Sequence, residues 1–297
     1  MISRLTILPK VIIGLTTSWL LMTVSASAVE IQTIHSSVQT YFENKDFTNS
    51  KQKDDGVVYG VGGDIHYEDS EYRFAHEHGC TQTIQPPMDK NLITDKLFLR
   101  YAYQFNDAFE FNLNYINILN DNIAITDGGV VYGLGVTYTF VKPLSINFTQ
   151  FHTDYQDFNV EQSDLRIDFK TKIKDFKIKL SSVSKYIKID EKHSNSFTKN
   201  AENDYFTSAI EFHSHYETYH FGATAYFGKR VFAIMSDGFK IQHHAMEIDR
   251  TYAAGIGKTF SDFVVRVQYI YQHAVELPML NGNVELRNIR VILNYKF

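Results

Sequence analysis

From Val29 onward the dominant period of the chain is two. Val57, Tyr59, Val61, Ile65 and Tyr67 interleave with Val58, Gly60, Gly62, Asp64, His66 and Glu68. Val130, Tyr132, Leu134, Val136, Tyr138 and Phe140 interleave with Gly133, Gly135, Thr137 and Thr139. The chain ends in the same way, Ile289, Val291, Leu293, Tyr295 and Phe297 standing against Arg290, Asn294 and Lys296. Side chains two apart share one face of a strand, so each run predicts a strand with one apolar face and one polar or glycine-rich face. Fourteen such runs stand near 31–43, 56–68, 71–79, 94–105, 109–119, 129–140, 144–155, 163–173, 176–189, 203–215, 218–228, 250–260, 263–274 and 284–297; in the first, third and seventh the alternation slips partway.

The connections alternate in length. Asp69-Ser70, Lys174-Asp175, Tyr216-Glu217 and Ser261-Asp262 read as two-residue turns, Asn106-Asp107-Ala108 and Val141-Lys142-Pro143 as three-residue ones, with longer polar loops such as 44–55, 80–93, 190–202 and 229–249 between them. Parity across the turns is consistent. Tyr216-Glu217 sets Phe212 opposite Phe221 and His213 opposite His220. Ser261-Asp262 sets Ile256 opposite Val267 and Ala254 opposite Tyr269. Short turns at one end and long loops at the other describe an up-and-down meander.

A soluble sandwich would need polar outer faces on both sheets. Here the face away from the apolar one carries Asp, Arg, Lys, Gln and many Gly, which suits a water-filled interior. Aromatics lie in two bands, one beside the short turns (Tyr67, Tyr72, Phe105, Phe109, Phe140, Phe176, Tyr219, Phe260, Phe263, Tyr295), the other toward the long loops (Tyr59, Tyr115, Tyr132, Tyr252, Tyr271). That spacing matches the girdles of a membrane barrel. Pro86, Pro87, Pro143 and Pro278 all fall in turns or loops, leaving the ladders intact. The expected fold is all-β, a transmembrane up-and-down antiparallel β-barrel of about 14 strands, with 12 to 16 open if a weak run is misread.

Residues 1–28 read as a secretory signal peptide, with Arg4 and Lys10 ahead of an apolar stretch from Val11 to Val24 and an Ala26-Ser27-Ala28 cleavage site. Residues 29–297 are then the barrel. Composition adds exclusions. A single Cys (Cys80) rules out a disulfide framework and any multi-cysteine zinc site, and a net charge of −5 gives no basic balance for nucleic acid. Mean hydropathy is −0.24, and beyond the N-terminus no apolar run is long enough for a membrane helix.

The last strand, Ile289 to Phe297, alternates and ends on an aromatic, and with the signal peptide it resembles the bacterial outer-membrane β-barrel class. In length and strand number the chain is similar to monomeric fourteen-stranded porins such as outer membrane protein G. The resemblance implies the outer membrane of a Gram-negative bacterium as location. It also implies lipid and lipopolysaccharide around the barrel, Tyr295 and Phe297 as part of a signal read by the assembly machinery, and a monomer rather than a trimer.

Fourteen strands sit nearer the open than the filled limit of barrel size. Inward positions include Gly60, Gly62, Gly133, Gly135, Gly222, Gly255 and Gly257, which either leave lumen volume free or permit bends. The first strand starts almost at Val29, which leaves no room there for a plug domain. Lumen charge is uneven. Arg166, Lys170, Lys172, Lys177, Lys179 and Lys185 point inward, and across Lys174-Asp175 Lys170 faces Lys179 and Lys172 faces Lys177. Like charges directly opposite repel, so either a solvated rim or a bound anion is implied. Arg100, Arg266 and Arg290 extend this wall, and Asp64, Glu68, Glu77 and Glu110 oppose it.

Glu211, His213, His215 and His220 form a candidate cluster with three readings: plain polar lining, a divalent-metal site, or a charge switch between pH 5 and 8. The longest loop, 229–249, holds His243-His244 and either folds inward as a constriction or lies outside. The expected function is passive diffusion of small hydrophilic solutes or ions, with no cofactor and no catalysis. The alternatives are an adhesive barrel acting through its loops and an outer-membrane enzyme. Against the enzyme, no Ser/His/Asn or G-x-S-x-G constellation is present, and His152 with Asp154 has no nucleophile beside it. Apolar uptake is disfavoured by the lack of room for an N-terminal hatch.

Overall fold

The computed structural model describes residues 34–84, 89–120, 125–193 and 200–297. The signal peptide lies outside them. Fourteen strands close into one antiparallel barrel: β1 (His35–Thr48), β2 (Lys53–Tyr67), β3 (Ser70–Thr83), β4 (Leu92–Gln104), β5 (Phe109–Asn120), β6 (Val130–Val141), β7 (Leu144–Asp154), β8 (Phe158–Ile173), β9 (Phe176–Glu191), β10 (Asp204–Tyr216), β11 (Tyr219–Arg230), β14 (Met246–Phe260), β15 (Phe263–Glu276) and β16 (Asn281–Lys296). Two further two-residue strands, β12 (Ile234–Met235) and β13 (Lys240–Ile241), pair only with each other. Each barrel strand bonds its sequence neighbours, and β1 meets β16 from Ser37↔Lys296 to Thr48↔Glu285. Closure leaves no strand edge unpaired, a requirement for sheet in lipid.

All fourteen expected runs coincide with strands, the first from His35 on, its residues 31–33 lying outside the described residues. The registers across Lys174-Asp175 and Ser261-Asp262 are as expected, with Lys172↔Lys177 and Ile256↔Val267. Two other turns are displaced. Tyr67↔Ser70 closes the β2–β3 hairpin on Glu68-Asp69, and Tyr216↔Tyr219 closes β10–β11 on Glu217-Thr218. His213 therefore pairs with Gly222, and His215 meets His220. Each displacement moves the pairing by two residues, which leaves every side chain on its own face, so alternation could not detect it. The β6–β7 turn is two residues long, with a register shift between Thr139 and Val141.

Burial is inverted relative to a soluble protein. Leu113, Leu134, Ile210 and Ile256 are more than half exposed on the outer face, while Asn112, Asn114, Thr149, Lys96 and Glu77 are buried inside. Rings pack against one another across strands in both bands, tilted, as in Phe109–Tyr138 and Phe263–Tyr295 near the short turns and Phe42–Tyr59 and Tyr115–Tyr132 toward the long loops.

Toward the long loops the pattern flips. On β9 Lys188 and Tyr186 face out while Ile187 and Ile189 are buried, and on β16 Arg287 faces out while Val284 and Leu286 are buried. The ladders therefore continue past the apolar belt as a water-exposed collar with an apolar inside. For that reason 44–48, 53–55, 80–83 and 190–191, read from the sequence as loop, are strand.

The belt supplies a first test. Leu134→Arg, on the outer face, is expected to cost about 2–4 kcal/mol of folding free energy in vesicles. The same change at inward-facing Thr224, directly opposite Glu211, is expected to leave folding unchanged. Urea titration in lipid reads both.

Candidate functional site, a charged lumen crossed by an inward loop

Between β11 and β14 the chain turns into the barrel. Val231, Phe232, Ala233 and Ile234 are all but fully buried. Gln162 on β8 brackets this segment, its Nε2 donating to Ile234 O at 2.8 Å and its Oε1 accepting from Ile234 N at 2.8 Å. The tip is a tight turn, Ser236–Gly238, in which all three residues take positive φ. From it Asp237 reaches Arg166 at 3.3 Å. Phe239 then stacks on Phe98 of β4, and Lys240 Nζ comes within 3.9 Å of Glu43 on β1. Thr126 Oγ1 donates to His243 O at 3.0 Å on the return. The loop therefore spans the lumen from β8 to β1. Burial pushes Lys240 down to about 8, and burial likewise holds His243 and His244 well below the ordinary histidine range.

The apolar inside of the collar is what receives the loop. Phe98, Ile116, Ile118, Val131, Phe151 and Phe158 form one buried cluster with residues 231–235. This half of the interior is filled, contrary to the expectation of a polar, water-filled lumen throughout. Cavities of about 570 and 410 Å³ lie beside the loop, the larger reaching up to Phe47, Ile248 and Leu286 of the collar, and Arg166 and Asp237 line both.

The charged lining is a set of local pairs more than two opposed walls. Arg166 contacts Glu211 at 3.0 Å and Asp168 at 3.7 Å as well as Asp237. Arg100 donates to Glu71 at 2.9 Å and to Glu110 at 3.2 Å. Lys179 meets Asp168 at 2.9 Å, and Lys185 bonds Asp164. Asp64 accepts from Ser37 and lies 3.3 Å from His66. Arg290 is bound to Glu43, which is 1% exposed and also accepts from Asn288 Nδ2 at 2.9 Å. Lys170, Lys172, Lys177 and Arg266 carry no ion pair among the described residues.

Of the proposed cluster, His215 and His220 meet edge to face with ring centres 4.4 Å apart. Glu211 is turned away to Arg166 and Tyr226. Among the described residues no group of three or more His, Cys, Asp or Glu is arranged to hold a metal, so the metal reading of that cluster has no geometric support. His152 faces outward and bonds Glu161 on β8. Tyr295 and Phe297 meet edge to face at the closing seam, where Phe297 N donates to Ser36 O at 2.9 Å.

Sequence reasoning missed the buried pair Glu77–Lys96, 2.6 Å apart, with Tyr41 donating to Glu77 at 2.7 Å. The available signal was Gly60. A Cβ there would lie 2.1 Å from the Tyr41 ring, so the glycine makes room for that ring to cross to Glu77 and does not widen the lumen.

No protein-family model and no curated protein matches the sequence. Solved structures do match. A bacterial polysaccharide outer membrane secretin aligns at TM-score 0.54 and 10% identity, covering 88% of this chain and 98% of its own. The fold is that of the outer-membrane β-barrel class. The toluene transporter of Ralstonia pickettii aligns at TM-score 0.52 and 9% identity, over 89% of this chain and 88% of its own. The outer membrane protein Omp33 of Acinetobacter baumannii aligns at 0.50 and 8%, over 89% and 99%. At such identities the likeness is one of barrel architecture.

Proposed function

We propose that this outer-membrane barrel is a channel for small hydrophilic solutes and ions in a Gram-negative bacterium, its bore set by the inward loop. One observation carries the reading: a loop latched to both sides of a charged lumen by Asp237–Arg166 and Lys240–Glu43, with cavities beside it large enough for several waters. The transport described in the name of the Ralstonia neighbour agrees with a conducting role. The apolar belt takes lipid and lipopolysaccharide, the assembly machinery reads the strand that ends on Tyr295 and Phe297, and the barrel works as a monomer without catalysis.

The test is single-channel recording of the refolded mature protein in planar bilayers. Stepwise currents are expected. A folded, heat-modifiable barrel that stays silent across voltages and salts would remove the reading.

A further inference from the structure

Cross-strand pairing strings side chains into rows around the wall, and one row near the short turns is unusual. Read strand by strand from β8 to β15, the directly paired inward residues are Lys172, Lys177, His215, His220, Gly257 and Arg266. Three fixed cations, two imidazoles and a glycine stand side by side, with no carboxylate among them. The next row toward the loops starts Lys170, Lys179, His213, Gly222 and Gly255. As far as Gln268 on β15 it again holds no acid, though Asp168 reaches Lys179 from one row further up and, beyond β15, the row runs on through Arg290 to Glu43.

Repulsion of this kind is normally relieved by interleaved carboxylates, and the rest of this lumen does so: Arg166 alone has three. Among the described residues no carboxylate lies within ion-pair distance of Lys172, Lys177 or Arg266. The geometry also concentrates the charge. A Cβ on Gly257 would lie 2.6 Å from Arg266 Cγ, so the Arg266 stem lies across Gly257, the residue between it and His220. His220 Nε2 is engaged with Thr259 Oγ1 at 2.6 Å, while its Nδ1 has no partner. The residues of the row itself face inward, while on the outer face beside them Phe176 and Ile256 are exposed and Lys258 lies over the Tyr219 and Phe260 rings. The cations therefore address solutes in the lumen and not lipid headgroups.

We propose that this arc is a binding site for soluble multivalent oxyanions, phosphate or polycarboxylate, at the short-turn mouth, the periplasmic side in this class of barrel. Guanidinium and ammonium groups make charge-assisted bonds to such oxygens, and a ring of one sign at a pore mouth sets ion preference. The role in transport rests on the channel reading; the binding does not.

Isothermal titration of the refolded full chain in a non-ionic detergent, with pyrophosphate and separately with citrate, measures binding without conduction. Lys177→Gln with Arg266→Gln is expected to weaken binding about tenfold or more, and Lys177→Arg to retain it. Lys188→Gln, on the outward collar, should change nothing. In bilayers a salt gradient should give an anion-selective reversal potential that the double variant reduces. Pyrophosphate bound by a barrel that never conducts would keep the site and discard the channel. Conduction with no titratable binding and no anion preference would overturn the site. Heat-modifiability on gels checks that each variant is folded, and if the double variant is not, Lys172→Gln alone carries the same expectation in smaller measure.

Discussion

Replacement of residues 234–242 by a short glycine-serine link is expected to raise single-channel conductance several-fold and to remove most current flicker. The barrel does not need the loop to close. The β11–β14 ladder runs from Tyr219↔Lys258 to Phe227↔Arg250, and only Arg230↔Ile248 is paired beyond it. What the loop does is cross the lumen, held at Gln162, Arg166, Phe98 and Glu43. Removal takes away Asp237, which lines both cavities, together with Lys240, which lines the larger. It also uncovers the apolar inside of the collar, so the melting temperature should fall as conductance rises, since buried apolar area is worth about 25 cal/mol per Å². An unchanged unit conductance in a folded deletion variant would show that the loop does not limit the bore.

The fold was legible because its dominant constraint is local. Lipid on one side and a polar interior on the other impose period two on each strand, and Leu134, Val136 and Tyr138 against Gly135, Thr137 and Thr139 display it directly. Two things escaped for physical reasons. Above the belt the solvents exchange sides, so Ile187 and Ile189 point in while Lys188 points out, and a reader expecting apolar-out ends the strand too early. Turn register escaped at Glu217-Thr218 because a two-residue shift keeps every face.

The site was half legible. The facing lysines Lys170/Lys179 and Lys172/Lys177 follow from parity across one turn. The partners of Arg166 come from β8 itself, from β10 and from a loop more than seventy positions away, and no periodicity encodes the last contact. Whether 229–249 lay inside or out was decided by side chains on distant strands. Phe98, Ile116 and Phe158 present an apolar interior that only a chain segment fills.

The largest single-residue effect is expected at Glu43. Its carboxylate is almost fully buried and accepts from Arg290 Nε at 2.6 Å, from Arg290 Nη2 and from Asn288, with Lys240 close by. Glu43→Ala leaves Arg290 and Lys240 in a low-dielectric wall without a counter-charge, and loss of one partner of a buried pair costs about 3–5 kcal/mol. Glu43→Gln keeps the shape and the Asn288 bond and should lose less. Arg287, paired with Glu285 at 2.6 Å on the exposed collar, is the control, since water solvates whichever partner remains. Urea unfolding in vesicles would order the variants Ala, Gln, then Glu285→Ala indistinguishable from the parent. Because Glu43 also anchors Lys240, its loss should reach the loop, and Glu43→Gln channels are expected to flicker between the parental level and the level of the loop deletion. A destabilised Glu43→Ala barrel with parental conductance steps in both variants would mean that the anchors at Gln162, Arg166 and Phe98 suffice to hold the loop, and Asp237→Asn should then produce the flicker instead.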